Sequence, residues 1–223
     1  MRDSAPLVYF PLIETTGTTA NNLGTLGSAA NGTATGVDWA NTPAPGGGYA
    51  PFFDGTSDYV NIYSVALRDA FDGDEGSMMI WGRAANAGVW TDGALRRMMA
   101  LYTDTTNRTW ITKSSVNNTS EIYHHTNGVT SINRQVIDNP IEWVNYLITF
   151  SLAGGESIAY YNGIQQGAAG VLVNAWVGLL SISNCLIGAG TLTPAFPYHG
   201  WLAHGAYWDR VLTPTEVARL VEM

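Results

Sequence analysis

The chain carries little charge: 13% of its residues are Asp, Glu, Lys or Arg, and Lys113 is the only lysine beside nine arginines. The net charge of −8 reflects that shortage of basic residues, and no basic stripe is present to track a phosphate backbone, which argues against nucleic-acid binding. Cysteine is nearly absent. Cys185 alone excludes an internal disulfide and any site built on several thiolates, and it reads as a small buried hydrophobe. No stretch approaches the roughly 20 consecutive apolar residues of a membrane-spanning helix, so membrane insertion is not expected. Met1-Arg2-Asp3-Ser4 leads into a short apolar run broken at Pro11, too short for the core of an export signal.

The motifs of common chemistries are missing as well. No Glu-x-Asp-x-Glu pattern places paired carboxylates on one strand face, the arrangement glycoside cleavage on a sheet would use. No His-Glu-x-x-His pair, Gly-x-Ser-x-Gly elbow, phosphate-binding glycine loop or dinucleotide fingerprint occurs. His124 and His125 are adjacent and would point to opposite faces of a strand, and His199 and His204 differ in parity, so neither pair is expected to converge on an ion. The expectation is a protein without catalytic machinery.

What is present points to strands. Glycine, asparagine and threonine are abundant, 11% of residues are aromatic, and turn residues punctuate short apolar runs along the whole length. A chain of 223 residues is compatible with one all-β domain covering 1–223 that needs neither disulfide nor metal to fold. Strands are expected at Leu7–Leu12, Thr33–Trp39 after an Asn31-Gly32 hairpin turn, Tyr59–Ile62, Ser77–Arg83, Thr109–Lys113, Glu121–His125, Val144–Ser151, Ser157–Tyr161 and Leu186–Gly188. Leu95–Tyr102 has helical propensity but fits the surrounding pattern as a strand. Ser77–Arg83 is apolar on both faces and reads as central. Asn127-Gly128, Gly154-Gly155 and Asn162-Gly163 supply turns. One helix is expected, at the C-terminus, where Thr213 caps, Pro214 begins the helix and Glu216 completes a capping box.

Three ordered segments carry a family resemblance. They are Phe52-Phe53-Asp54-Gly55-Thr56-Ser57-Asp58-Tyr59-Val60, Ala159-Tyr160-Tyr161-Asn162-Gly163, and Ile187-Gly188-Ala189-Gly190 followed by Phe196–Gly200, Tyr207–Thr213 and Glu216. Together they resemble the laminin G-like branch of the concanavalin A-like lectin and glucanase superfamily. That resemblance implies a two-sheet antiparallel β-sandwich of jelly-roll type, six or seven strands per sheet, with binding carried by loops at the sheet edges.

Candidate site residues follow from the aromatic excess and from one acidic loop. Trp90 and Trp176 fall in loop-like contexts, and Trp90 stands beside Asp92, so these three are the candidate ligand contacts; the indoles either stack on sugar rings or pack against their own sheet, the commoner fate of such residues. Asp72, Asp74 and Glu75 form the densest acidic cluster and are the candidate ligands for a structural calcium ion, with a solvated turn as the alternative; no cofactor is required. Asp54 and Asp58 read as servants of their own turn. Asn31, Asn107, Asn117 and Asn118 match the glycosylation pattern but read as turn residues.

Two functions are expected from different classes. The first is a structural protein of a virion surface, such as a bacteriophage capsid decoration or a tail or appendage subunit, partnered by other virion proteins or copies of itself, with host glycans as a further contact. The second is a lectin-like carbohydrate-binding or adhesion domain, free-standing or cut from a larger secreted protein, partnered by cell-surface carbohydrate. Both place the chain on an outer surface.

Overall fold

The computed structural model describes residues 5–137 and 141–222, so Met1-Arg2-Asp3-Ser4, considered above for an export signal, lie outside it. Strands follow one another as β1 (Val8–Phe10), β2 (Thr19–Ala20), β3 (Gly32–Thr35), β4 (Asp38–Pro43), β5 (Tyr49–Asp54) and β6 (Tyr59–Asn61). After helix α1 (Val65–Ala70) come β7 (Glu75–Ala84), β8 (Arg96–Tyr102), β9 (Arg108–Lys113), β10 (Thr119–Thr126), β11 (Val129–Ile137) and β12 (Val144–Ser151). The chain closes with β13 (Glu156–Tyr161), β14 (Ile164–Gln165), β15 (Gly170–Val171), β16 (Leu186–Ile187), β17 (His199–Trp208) and helix α2 (Pro214–Arg219).

These strands form two antiparallel sheets. One has nine strands in the order β14-β13-β12-β7-β17-β5-β4, with β1 paired to β17 and β15 to β13. The other has eight, in the order β11-β10-β9-β8-β16-β6-β3-β2. The strand at the start of the chain therefore lies against the last one, Val8 opposite Tyr207. The architecture is the expected β-sandwich, with more strands in each sheet than the six or seven anticipated.

The main core lies between the sheets, where Phe53, Met78, Ile80, Ile111, Ile122, Ile148 and Ile187 are wholly buried. β7 sits between β12 and β17 and is apolar on both faces because both are covered: Met78 and Ile80 face the main core, Met79 and Trp81 a second cluster. That second cluster lies on the outer face of the nine-stranded sheet, beneath Leu212, Val217 and Leu220 of the C-terminal segment. There the Thr213 hydroxyl accepts from the Glu216 amide, and the Glu216 carboxylate accepts from the Thr213 amide at 2.8 Å, the capping box anticipated above. Its loss costs about 1 kcal/mol in typical helices.

Tight turns form where Asn-Gly supplies two left-handed residues: Asn127 and Gly128 join β10 to β11, and Asn162 and Gly163 join β13 to β14. Asn31-Gly32 does not form such a turn, which corrects the sequence expectation. Asn31 follows a 3-10 turn (Gly27–Ala30) at a φ of −60°, and its side-chain oxygen accepts from the Asn22 amide at 2.9 Å. That bond holds the wide loop between β2 and β3. The strand expected over 33–39 is likewise split: Gly36, at a φ of +75°, separates β3 in one sheet from β4 in the other. Helix α1 was not expected. It starts at Ser64, whose hydroxyl accepts from the Leu67 amide, and it buries Leu67.

One core residue is chemically out of place. His124 on β10 is fully buried, its ring stacked 4.1 Å from that of Phe150, and neither ring nitrogen has a hydrogen-bond partner. Burial, helped by the neighbouring His125 charge, lowers its pKa from 6.5 to about 3. The unfolded chain therefore binds a proton that the folded chain refuses, so stability falls as pH drops from about 6.5 towards 3. Between pH 7.5 and pH 5 the wild type should lose roughly 2 kcal/mol more than His124→Phe, which keeps the stacking and removes the proton site. Urea denaturation at the two pH values measures the difference; equal losses would contradict the assignment.

Candidate functional site

Strand alternation sends every second side chain of β8, β9 and β10 away from the main core. Ile111 and Ile122 point inward, so their neighbours in sequence point out. Strand register arranges these outward residues in three rows. Ala100, Trp110 and Tyr123 form the middle row; Arg97, Thr112 and Glu121 lie on one side of it and Tyr102, Arg108 and His125 on the other.

The middle row is a stack. Trp110 and Tyr123 lie face to face with centroids 4.1 Å apart and planes 7° from parallel. Ala100, opposite Trp110 on β8, contributes only a methyl group and leaves room over the indole. A β-bulge between Arg97 and Met99 accompanies the lay of the Arg97 guanidinium over the indole, at 3.8 Å from its centroid. Phe196, from the loop before β17, covers Arg97 in turn at 5.4 Å. Arg108 lies 4.7 Å from the Trp110 ring and 5.5 Å from that of Tyr123. At the far end the Tyr123 hydroxyl, His125 Nδ1 and Thr130 Oγ1 form a triangle of contacts at 2.9, 2.9 and 3.1 Å.

The electrostatics of this face are unbalanced. Arg97 and Trp110 are almost wholly buried, yet Nε and Nη1 of Arg97, Nε of Arg108 and Nε1 of Trp110 have no acceptor among the described residues. Among the described residues neither arginine has a carboxylate within ion-pair distance. Burial lowers the Arg97 pKa; Tyr102 and Glu121 oppose that shift and the Arg108 charge adds to it. His125 is lowered by burial and then by Arg108. An aromatic stack edged by unmet N–H donors is suited to accept oxygen-rich or anionic groups.

The residues singled out from sequence lie elsewhere. Trp90 belongs to the main core, 1% exposed, at the end of a 3-10 turn (Ala87–Trp90). This corrects the expectation of an exposed loop tryptophan: the turn signals were real, but the turn folds the indole under the sheet. Asp92 is a staple. Its Oδ1 accepts from Lys113 Nζ at 2.7 Å, and its Oδ2 accepts from Arg96 Nε and Nη2 at 3.0 and 2.7 Å. Lys113 is fully buried, and its Nζ also donates to the Ala94 carbonyl at 2.8 Å. Burial alone would raise the Asp92 carboxyl; the Lys113 and Arg96 hydrogen bonds outweigh it and bring the pKa down to about 2.

Trp176 and the acidic loop are brought together by hydrogen bonds. The Trp176 amide donates to Asp74 Oδ1, its indole Nε1 donates to Thr103 Oγ1 at 2.9 Å, and its ring packs edge-on against Phe71. Gly73 permits this, since a β-carbon there would meet the indole at 2.1 Å. Asp72 Oδ1 accepts from the Asp74 amide, and Glu75 Oε2 is 3.5 Å from Ser151 Oγ. The three carboxylates are thus engaged separately, and no group of three or more His, Cys, Asp or Glu among the described residues could hold a metal ion.

Asp54 serves its own turn as expected, accepting from the Thr56 and Ser57 amides. His124 and His125 face opposite sides. Asn107 organises loops, its side-chain oxygen accepting from the Asn127 and Val177 amides.

Sequence reading ranked tryptophans by their loop contexts and so passed over Trp110. The available signal was the repeated polar–x–aromatic–x–polar spacing of Arg108, Trp110 and Thr112 and of Glu121, Tyr123 and His125 on consecutive strands. That spacing places both aromatics on one outward face if the strands pair in register.

No family model and no curated protein matches this chain. Solved structures do match, at a level that shows the fold. The botulinum neurotoxin serotype D binding domain is 10% identical with a TM-score of 0.68 over 99% of this chain and 51% of its own. Domain 4 of a GH43 extracellular arabinanase from Geobacillus stearothermophilus, in complex with arabinotriose, is 16% identical with a TM-score of 0.63 over 97% and 98%. A Trypanosoma rangeli sialidase mutant displaying trans-sialidase activity is 11% identical with a TM-score of 0.67 over 98% and 33%. The chain spans about half the length of the neurotoxin domains and a third of the sialidase.

The Asp92 staple makes a direct prediction. Asp92→Asn leaves the buried Lys113 charge uncompensated and should cost roughly 3 kcal/mol, the scale of a broken buried ion pair. Lys113→Met should cost clearly less, because Asp92 keeps Arg96. Urea denaturation at pH 7 compares them, and equal small losses would refute the staple.

Proposed function

We propose that this chain is a non-catalytic carbohydrate- or receptor-binding module whose ligand lies on the outer face of the eight-stranded sheet. The observation that carries the reading is the stack of Arg97, Trp110 and Tyr123 with its unsatisfied donors. Polar groups buried without partners are costly, and a ligand rich in oxygen acceptors offsets that cost on binding. The structural neighbours support the reading, since they include receptor-binding domains and an arabinanase domain in complex with arabinotriose. The laminin G-like assignment fits the same sandwich, and an extracellular or particle-surface location fits such a role.

A second reading, assembly on a virion surface as a capsid decoration or a tail or appendage subunit, is favoured by a different feature. No Asp, Glu, Lys or Arg occurs between Glu156 and Asp209. Within that interval Ile164, Val171, Val173, Val177, Leu179 and Ile182 are each more than half exposed. Exposed apolar side chains concentrated in one uncharged stretch suit contact with other virion proteins or copies of the chain. The two readings are compatible, because many copies on a particle multiply a weak glycan contact.

A glycan array with purified protein tests the first reading. Binding to at least one oligosaccharide is expected, weakened on the order of tenfold by Tyr123→Ala, which removes the ring that backs Trp110; a silent array would overturn it. For the second, Val173→Asp with Leu179→Asp should leave the thermal midpoint unchanged and abolish incorporation into particles. Purified particles lacking this chain would refute that reading.

A further inference from the structure

The way the stack is closed on itself says what kind of saccharide it can take. One face of the Trp110 ring is covered by the Arg97 guanidinium and the other by Tyr123, and Tyr123 is itself only 7% exposed, with His125 meeting its hydroxyl end. A sugar ring therefore finds neither aromatic face free. What remains is its edge, where Nε and Nη1 of Arg97, Nε of Arg108 and Nε1 of Trp110 are buried N–H donors with no acceptor among the described residues, within reach of a ligand once the cover over Arg97 moves.

Unmet buried nitrogens occur elsewhere too, on Trp81, His124, Arg134 and Asn145, but only on this face do two arginines carry them around one indole. Arg68, Arg96 and Arg210 each hold a carboxylate, at 2.7, 2.7 and 2.6 Å. Arg83 and Arg134 donate to the carbonyls of Ile141 and Ala168. In a chain of net charge −8, two cations lie against the same indole with no carboxylate paired to either among the described residues. A guanidinium buried in this way contributes little that an apolar side chain of similar volume would not. Its planar fork does match the oxygens of a carboxylate or sulfate, which accept two N–H bonds at once. Phe196, nearly half exposed, is the outermost cover over Arg97 and is held at a φ of +58°, an uncommon backbone state for an aromatic residue.

We propose that this face binds an acidic oligosaccharide, the carboxylate or sulfate group being received by the in-plane N–H groups of Arg97 and Arg108 together with Trp110 Nε1. The proposal rests on the reading of the face as a saccharide site. It makes acid-group recognition the primary contact, with His125 and Thr130 left for hydroxyls.

Isothermal titration of the whole chain with trigalacturonate, a heparin-derived tetrasaccharide and arabinotriose tests it, at low and high salt, with wild type, Arg97→Met and Arg108→Met. At least one acidic probe should bind roughly tenfold or more tighter than arabinotriose and weaken with salt. Either arginine variant should lose most of that binding, while ligand-free Arg97→Met melts at the wild-type temperature or above. The acidic probe that binds separates the carboxylate from the sulfate source. Arabinotriose binding as tightly as both acidic probes, or acidic binding unchanged in both variants, overturns the acidic assignment and leaves the saccharide reading standing. No binding of any probe overturns both, and a lowered melting temperature for Arg97→Met would then mark the stack as purely structural.

Discussion

Each strand of the eight-stranded sheet has two faces, and only one of them can enter the core. On β9 and β10 the inward positions are taken by Ile111, Ile122 and His124, so Trp110 and Tyr123 are forced outward, large aromatic side chains on a face that an antiparallel sheet commonly leaves to water. The nine-stranded sheet meets the same constraint differently: the C-terminal segment, with Val217 and Leu220, lies down over its outer face. The aromatics on the eight-stranded sheet shield each other and are sheathed by two arginines. Stacking of this kind contributes about 0.5–1.5 kcal/mol per aromatic pair, enough to order the face but not to repay an unsatisfied guanidinium.

Buried polar groups divide into two classes. Lys113, Asp92 and Arg96 satisfy one another and the Ala94 carbonyl, so that network pins the loop before β8. His124, Arg97 and Arg108 keep unmet nitrogen atoms. For His124 the cost appears as sensitivity to acid, because the proton its ring refuses when folded is taken up on unfolding. For the arginines there is no proton to give up near neutral pH, so the cost can be removed only by an acceptor from outside.

Much of the fold was legible because period-two alternation and turn chemistry are local. The stretches Ser77–Arg83, Val144–Ser151 and Ser157–Tyr161 appear as strands within a residue or two of expectation, as does Leu95–Tyr102 against its helical propensity. The C-terminal capping box is present as read. Asn31-Gly32 misled because the Asn31 side chain is committed to the Asn22 amide nine residues away, a contact that dipeptide preference does not report. The site was less legible. Trp90 has a turn context and a core position, and Asp92 has a loop context but ion-pair partners reaching from β8 and β9. Trp110 and Tyr123 become a site only through strand pairing and through the β-bulge beside Arg97, both of which are tertiary facts.

The central claim is that the edge of the Arg97–Trp110–Tyr123 stack is where a ligand is received. The most direct measurement is NMR of the arginine side-chain Nε–H groups in the free protein and during titration with a binding oligosaccharide. The account predicts that the Arg97 and Arg108 Nε–H resonances of the free protein show no hydrogen-bonded shift, and that both move and gain protection from exchange as ligand is added. Ligand-induced shifts confined to the loop around Trp176 and Asp74, with both arginine resonances unmoved, would contradict it.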